Sequence, residues 1–150
     1  MNQIVCQDGT RLTRRVLFDR LDFMVSSIVR HSSSKCVTCN KKLLLKKRQA
    51  GHYISRAVYS TRWDLRNVNV QCNECNVLKG GNLAKYEQWI AKEEGLDTLE
   101  YLKNEKNKYD KGQSEFCIED ACKKYNHLLE TGNFDEKTKK IVSKWPVIQL

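Results

Sequence analysis

Two Cys-x-x-Cys pairs, Cys36–Cys39 and Cys72–Cys75, constrain this chain more than any other feature. A two-residue gap lets a tight knuckle turn both thiolates toward one ion. Two such knuckles close a tetrahedral sphere with no position left for water, the arrangement of a structural Zn2+. Its binding would act as folding energy, on the order of 10–16 kcal/mol in zinc-finger peptides. The chain between the pairs must therefore fold back on itself. There are seven cysteines in all. An odd count, the paired spacing and an N-terminus without an apolar export core favour metal thiolates in a reducing cytoplasm over a disulfide framework. Cys117 and Cys122 read as small core residues of one helix, and Cys6 has no assigned role.

The charge of the chain narrows its partners. Lys and Arg outnumber Asp and Glu by 27 to 18, for a net +9, and the excess is clustered in residues 41–48 and at arginines 56, 62 and 66. Such clusters attract polyanions, nucleic acid first among them. The candidate phosphate contacts are Lys46, Lys47, Arg48, Arg56, Arg62, Arg66 and Lys79; the alternative is a basic surface that only keeps the protein dissolved. No apolar run is long enough to span a bilayer, and a composition 40% apolar and 30% charged suits a globular chain.

The expected fold class is α+β, mostly α. At 150 residues the chain has the size of a single domain, with an N-terminal helix region (1–34), a zinc-centred hairpin-and-helix core (35–95) and a helical C-terminal region (96–150). Residues 1–9 read as a loose lead-in. A helix is predicted from about Thr13 to Arg30, with Leu17, Leu21, Met24 and Ile28 forming a narrow apolar stripe. That stripe packs on its own domain or serves as a dimer seam. Residues 42–54 suit a strand or hairpin, 55–68 a long polar loop, and 68–72 a returning strand. A helical turn starts near Cys75 and is interrupted at Gly80-Gly81. Asn82 then caps a helix through Glu94 that buries Tyr86 and Ile90. Further helices are predicted over 97–108, with Leu99 and Leu102 inward, from a Ser114 cap to about Glu130, with Ile118, Ala121, Cys122, Tyr125 and Leu129 on one face, and from Asp135 to Trp145-Pro146.

One histidine, His52, sits in "QAGHYISR", before the long loop. A phosphodiesterase with a single histidine needs a neutral imidazole near the attacking water and a divalent cation on the phosphate. That cation needs hard oxygen ligands. His52 ends the first predicted strand, Asn67 ends the loop and Asn76 directly follows the fourth cysteine, so a hairpin with zinc at its base has the means to gather all three.

These residues carry a resemblance. "DLRNVNVQCNECNVLK" is similar to the second half of HNH, or ββα-metal, nucleases, in which an asparagine lies five residues before a C-x-x-C and a metal-binding His or Asn follows it. More specifically, the order of "LFDRLDFMVSSIVRHSSSKC", "CVTCNKK", "QAGHYISR", "TRWD", "QCNECN" and "GGNLAKY" resembles the phage NinG (Rap) recombination endonucleases over about residues 17–102. Endonuclease VII-type Holliday junction resolvases share the zinc-plus-asparagine pattern. The resemblance implies a zinc-stabilised ββα-metal core, with Cys36, Cys39, Cys72 and Cys75 on structural zinc. It implies that His52 is the general base, that Asn76 holds the catalytic Mg2+ or Mn2+, and that Asn67 steadies the loop and orients the base. It also implies cleavage to 5′-phosphate and 3′-hydroxyl ends and branched DNA such as Holliday junctions and D-loops as substrate. A resolvase cuts two strands related by near two-fold symmetry, so a homodimer is expected, with no membrane partner and, for a phage-encoded chain, the host-cell cytoplasm as location. In the wider HNH pattern the residue before the base is a cation-binding Asp or His. Here it is Gly51. Asp64, and less well Glu74, are candidates to replace that ligand, and Asn69 stands where NinG-like sequences often have histidine. Three readings stay open: an endonuclease on branched DNA, a zinc-stabilised nucleic-acid-binding module without catalysis, and an HNH nicking or homing-type endonuclease on linear duplex.

Overall fold

Short strands and long amphipathic helices give a mixed fold with two small antiparallel hairpins, seen in a computed structural model that describes residues 3–150. The chain forms two units, one reaching to Ile28 and resuming at Phe116–Leu150, the other Val29–Glu115.

In the first unit, β1 (Ile4–Val5) pairs with β2 (Arg11–Leu12), so the lead-in expected to be loose forms a hairpin from Ile4 on, its residues 1 and 2 lying outside the described residues. Asp8 Oδ1 accepts from Thr10 N at 2.9 Å and Gly9 takes φ +83° to close the turn. Strands of two residues are too short to leave a period-two signal. Helix α1 (Arg14–Ser32) carries the predicted stripe, and Leu17, Leu21 and Met24 are fully buried within the chain. The stripe is therefore no open dimer seam. Helix α5 (Ile118–Thr131) starts four residues after the expected Ser114. Cys117 is its N-cap: its backbone N–H donates to Asp120 Oδ2 at 3.1 Å and its thiol to the same oxygen at 3.2 Å. Cys117 is exposed rather than a core residue, whereas Cys122 is buried as expected. Leu128, not Leu129, completes the buried face with Ala121 and Tyr125, and Ile118 is exposed. In α6 (Glu136–Val142), Asp135 caps through Oδ1 to Thr138 N at 3.2 Å.

In the second unit the expected strand over 42–54 is shorter. Leu45–Lys47 forms a 3-10 turn, and only Gln49–His52 is strand, β3. Arg48 explains the difference, because its guanidinium donates to Leu43 O at 3.2 Å and to Arg30 O at 3.1 Å. Those bonds fold the segment back on the end of α1, whose last carbonyls lack helical partners. Within the polar loop lies a one-turn helix, α2 (Tyr59–Arg62), before β4 (Val68–Gln71) returns along β3 in the register Gln49↔Gln71 to His52↔Val68. A π-helical turn (Glu74–Leu78) then leads through Gly80 and Gly81, both at positive φ, to α3 (Leu83–Glu93) and α4 (Leu96–Asp110). Asn82 precedes α3 in a left-handed conformation (φ 49°, ψ 51°) with no side-chain cap. The expected capping role is not realised; its Nδ2 donates instead to Cys75 Sγ at 3.4 Å. Tyr53, Ile54, Val58, Tyr86, Ile90, Leu99 and Leu102 form the buried apolar cluster beneath β3 and the loop. Among the described residues no helix is long and apolar enough to cross a membrane.

Candidate active site and zinc centre

The two cysteine knuckles come together as their spacing requires. The sulfurs of Cys36, Cys39, Cys72 and Cys75 all lie within 4.8 Å of one another. Cys39 Sγ and Cys72 Sγ are 3.8 Å apart, close to the roughly 3.8 Å edge of a tetrahedron with Zn–S bonds of about 2.3 Å. The donor set and its spacing fit Zn2+. Burial pushes the Cys36 thiol up, but the Thr38 hydroxyl and the backbone N–H groups of Cys72, Cys39 and Thr38 outweigh it and bring its pKa down to about 6. The same contacts favour the ionised form of Cys36, the form that binds a metal. Burial and the neighbouring thiols push Cys39 up to about 12.

Gln71 ties this centre to the strand. Fully buried at the end of β4, its Nε2 donates to Thr38 Oγ1 at 3.2 Å and to Gly81 O at 2.8 Å. One side chain so links the first knuckle to the turn after the second.

Asn67 is fully buried and organises the loop. Its Oδ1 accepts from Ile54 N at 2.7 Å, and its Nδ2 donates to Ile54 O and Thr61 O, each at 3.0 Å. Its backbone oxygen accepts from Tyr53 N at 3.0 Å. A one-turn helix leaves its final carbonyls short of helical partners, and here side chains reach them, the Thr61 oxygen also accepting from Asp64 N at 3.2 Å. Asn67 holds the Thr61 carbonyl, and the next carbonyl, of Arg62, lies 2.8 Å from His52 Nε2. A carbonyl only accepts, so Nε2 carries the hydrogen, and in the neutral ring the basic lone pair is on Nδ1. The half-buried His52 ring borders a cleft of about 490 Å³ lined also by Leu83, Glu87, Lys103 and Lys106.

Asn76, in the π-helical turn, meets the other end of β3. Its Nδ2 donates to Gln49 Oε1 at 2.8 Å, and Gln49 Nε2 donates in turn to Asn73 Oδ1 at 3.2 Å. Gln49 begins β3 and His52 ends it, about 10 Å apart along an extended strand. Strand alternation directs residues 49 and 52 to opposite faces. The fold therefore joins His52 and Asn67 through the α2 carbonyls and sets Asn76 against Gln49. With Nδ2 engaged, Asn76 presents Oδ1, a hard neutral donor suited to a cation that takes its other oxygens from water and phosphate. Among the described residues the four cysteines are the one cluster of three or more Cys, His, Asp and Glu side chains able to hold a metal. Asp64 is engaged otherwise: Oδ1 accepts from Arg66 N at 2.9 Å and Nε at 3.0 Å, and Oδ2 from Arg66 Nη2 at 2.6 Å. Glu74 pairs with Lys79 at 3.1 Å.

The basic residues divide by what they touch. Arg48 is bound to backbone carbonyls as described, and Arg66 also lies 4.7 Å over the Tyr101 ring. Arg62 stacks on Trp63 and Tyr59, at 5.3 and 5.7 Å. Lys46, Lys47, Arg56 and Lys79 are exposed, and the solvent-facing Lys79–Glu74 pair is weak enough to yield to a phosphate. Sequence reasoning passed over Gln49, Gln71, Lys103 and Lys106. For the two glutamines the available signal was polar residues at both ends of paired strands, in "RQAGH" and "VQCNEC"; for the lysines there was none beyond charge.

A family model described as Bacteriophage Lambda NinG protein matches residues 13–131. No curated protein and no solved structure matches the chain.

Proposed function

The chain belongs to the bacteriophage lambda NinG family, a recombination-related phage family, and from that membership we propose that it is a metal-dependent endonuclease that hydrolyses phosphodiester bonds in branched recombination intermediates such as Holliday junctions and D-loops. The observation that carries the reading is the 2.8 Å bond from His52 Nε2 to the Arg62 carbonyl, because it orients the ring and leaves Nδ1 as the base. His52 takes a proton from water as the water oxygen attacks phosphorus, and the P–O3′ bond breaks, the departing O3′ taking a proton from solvent, to leave a 5′-phosphate and a 3′-hydroxyl. Asn67 keeps the base in place by fixing the neighbouring Thr61 carbonyl. Asn76, at the Gln49 end of β3 and about 10 Å along the strand from His52, would hold Mg2+ or Mn2+ through Oδ1, and such an ion would supply charge neutralisation to the bound DNA. The exposed Lys46, Lys47, Arg56 and Lys79 hold the DNA arms. A junction presents two strands related by near two-fold symmetry, so the working form is a homodimer, acting in the host-cell cytoplasm.

A second reading, a zinc-stabilised binding module without catalysis, draws on the neutral amide donors at Asn76 and on Gly51. One experiment separates the readings. Purified protein is incubated with Mg2+ or Mn2+ and either a synthetic four-way junction or matched linear duplex. The endonuclease reading expects cuts near the branch point that vanish with chelator and in His52→Ala. Retarded DNA without products supports the module, and equal cutting of linear duplex supports an HNH nicking enzyme.

A further inference from the structure

Leu44 is 70% exposed and Leu45 42% exposed at the tip of the turn after the first zinc knuckle. The backbone that presents them is held at many points. Cys36 N donates to Lys41 O at 2.9 Å, Leu43 N to Ser34 O at 2.7 Å, Lys47 N to Leu44 O at 2.8 Å and Arg48 N to Leu45 O at 3.1 Å. Leu43 is buried, and the Arg48 guanidinium clamps the Leu43 carbonyl to the end of α1. Two adjacent leucines are thus displayed on a turn with little freedom to withdraw them. On either side stand the exposed lysines 41, 42, 46 and 47.

We propose that this turn is a nucleic-acid wedge, in which Leu44 and Leu45 enter a step where bases are already unstacked while the four lysines hold the flanking phosphates. Charge complementarity selects the occupant. Apolar wedges flanked by cations suit DNA, where insertion costs a few kcal/mol of unstacking in closed duplex and far less at a branch. The same turn would then favour branched over linear DNA. A second copy of the chain is a poor occupant, because a two-fold contact through this turn sets each copy's four lysines against the other's. The inference rests on the proposed function for its substrate and goes beyond it in naming the element that senses the branch.

The test uses the full zinc-loaded chain with no added divalent cation, so that nothing is cut. Wild type, Leu44→Ser/Leu45→Ser and Leu44→Met/Leu45→Met are titrated against a four-way junction carrying 2-aminopurine at the branch and against linear duplex. The wedge expects 2-aminopurine fluorescence to rise on binding wild type. In the serine variant that rise is lost and junction affinity falls about tenfold, the scale of losing base contacts of this kind. Duplex affinity changes less than twofold, and the methionine variant recovers both signals. Both leucines are exposed, so unchanged zinc content and unfolding midpoint verify the variants. Equal junction affinity and fluorescence for wild type and serine variant overturn the wedge alone. So does a loss confined to self-association in sedimentation, or to binding of anionic phospholipid vesicles. Wild-type protein that binds neither DNA overturns the branched-DNA function itself, and the wedge with it.

Discussion

The side chain of Gln71 fills the space above Gly51. A Cβ on residue 51 would meet Gln71 Cδ at 2.8 Å and Cγ at 2.9 Å, and would press on Oε1 closer still. Gln71 has little room to retreat, since Thr38 and Gly81 hold its amide and it is fully buried. The glycine before His52 is therefore a packing requirement of the strand that Gln71 ties to the four-cysteine cluster. Gly51→Ala should destabilise the protein by about 1–3 kcal/mol, the usual scale of overpacking. Gln71→Ala in the same chain should remove the clash and make the pair of changes markedly non-additive in a urea-denaturation cycle. Additive costs would show that the two side chains do not compete for that space.

The four-thiolate centre predicts one zinc per chain by metal analysis. Cys72→Ser or exhaustive chelation should unfold the β3–β4 region, because the binding energy at stake, on the order of 10 kcal/mol, is comparable to the whole stability of a small domain. Retained circular dichroism and unfolding midpoint after verified zinc removal would count against a structural role.

Asn67→Ala should cost about 3 kcal/mol, because it strands the buried Ile54 N–H and Ile54 carbonyl and removes one of the donors to the Thr61 carbonyl. Chemical denaturation measures the cost directly. Cleavage should fall as well, since the Thr61–Arg62 carbonyls would no longer be fixed beside His52. A variant as stable as wild type would remove Asn67 from the loop's support.

His52→Ala should lower the cleavage rate by about 10²- to 10⁴-fold, the span of general-base catalysis, with junction affinity within twofold of wild type. Single-turnover rates and a binding titration read the two quantities separately. Undiminished cleavage by a clean preparation would exclude His52 as the base.

Gln49→Ala should leave stability nearly unchanged, because the residue is half-buried and its partners reach water. It should free the Asn76 carboxamide to rotate and raise the Mn2+ concentration for half-maximal cleavage about tenfold, within the range for losing an outer partner of a metal ligand. Mn2+ binding in the presence of uncut DNA gives a second readout. An unshifted Mn2+ dependence would reduce Gln49 to a surface residue.

Where local pattern carried the information, it was legible. The two C-x-x-C pairs predicted a four-sulfur cluster that the fold forms. The stripe of α1, the strand at Val68–Gln71 and the buried Leu99 and Leu102 of α4 all follow from periodicity. The early hairpin did not, because two-residue strands hold no period. The start of α5 was misread because a cysteine, not a serine, caps it through Asp120. Asn82 shows the limit of cap rules: its left-handed backbone directs its amide to Cys75 instead of to the helix.

The sequence by itself determined the four-sulfur centre, the helices and the positions of His52, Asn67 and Asn76, because spacing and periodicity are local and survive any packing. Only the tertiary structure decided what those residues touch. The pairing of β3 with β4 put Gln71 over Gly51, the one-turn helix aligned two carbonyls for Asn67 and His52, and the turn after Cys75 set Asn76 against Gln49. All of these contacts except the six-residue Asn67–Thr61 bond join positions ten or more residues apart. Such contacts depend on register and burial, which no short stretch of chain encodes alone.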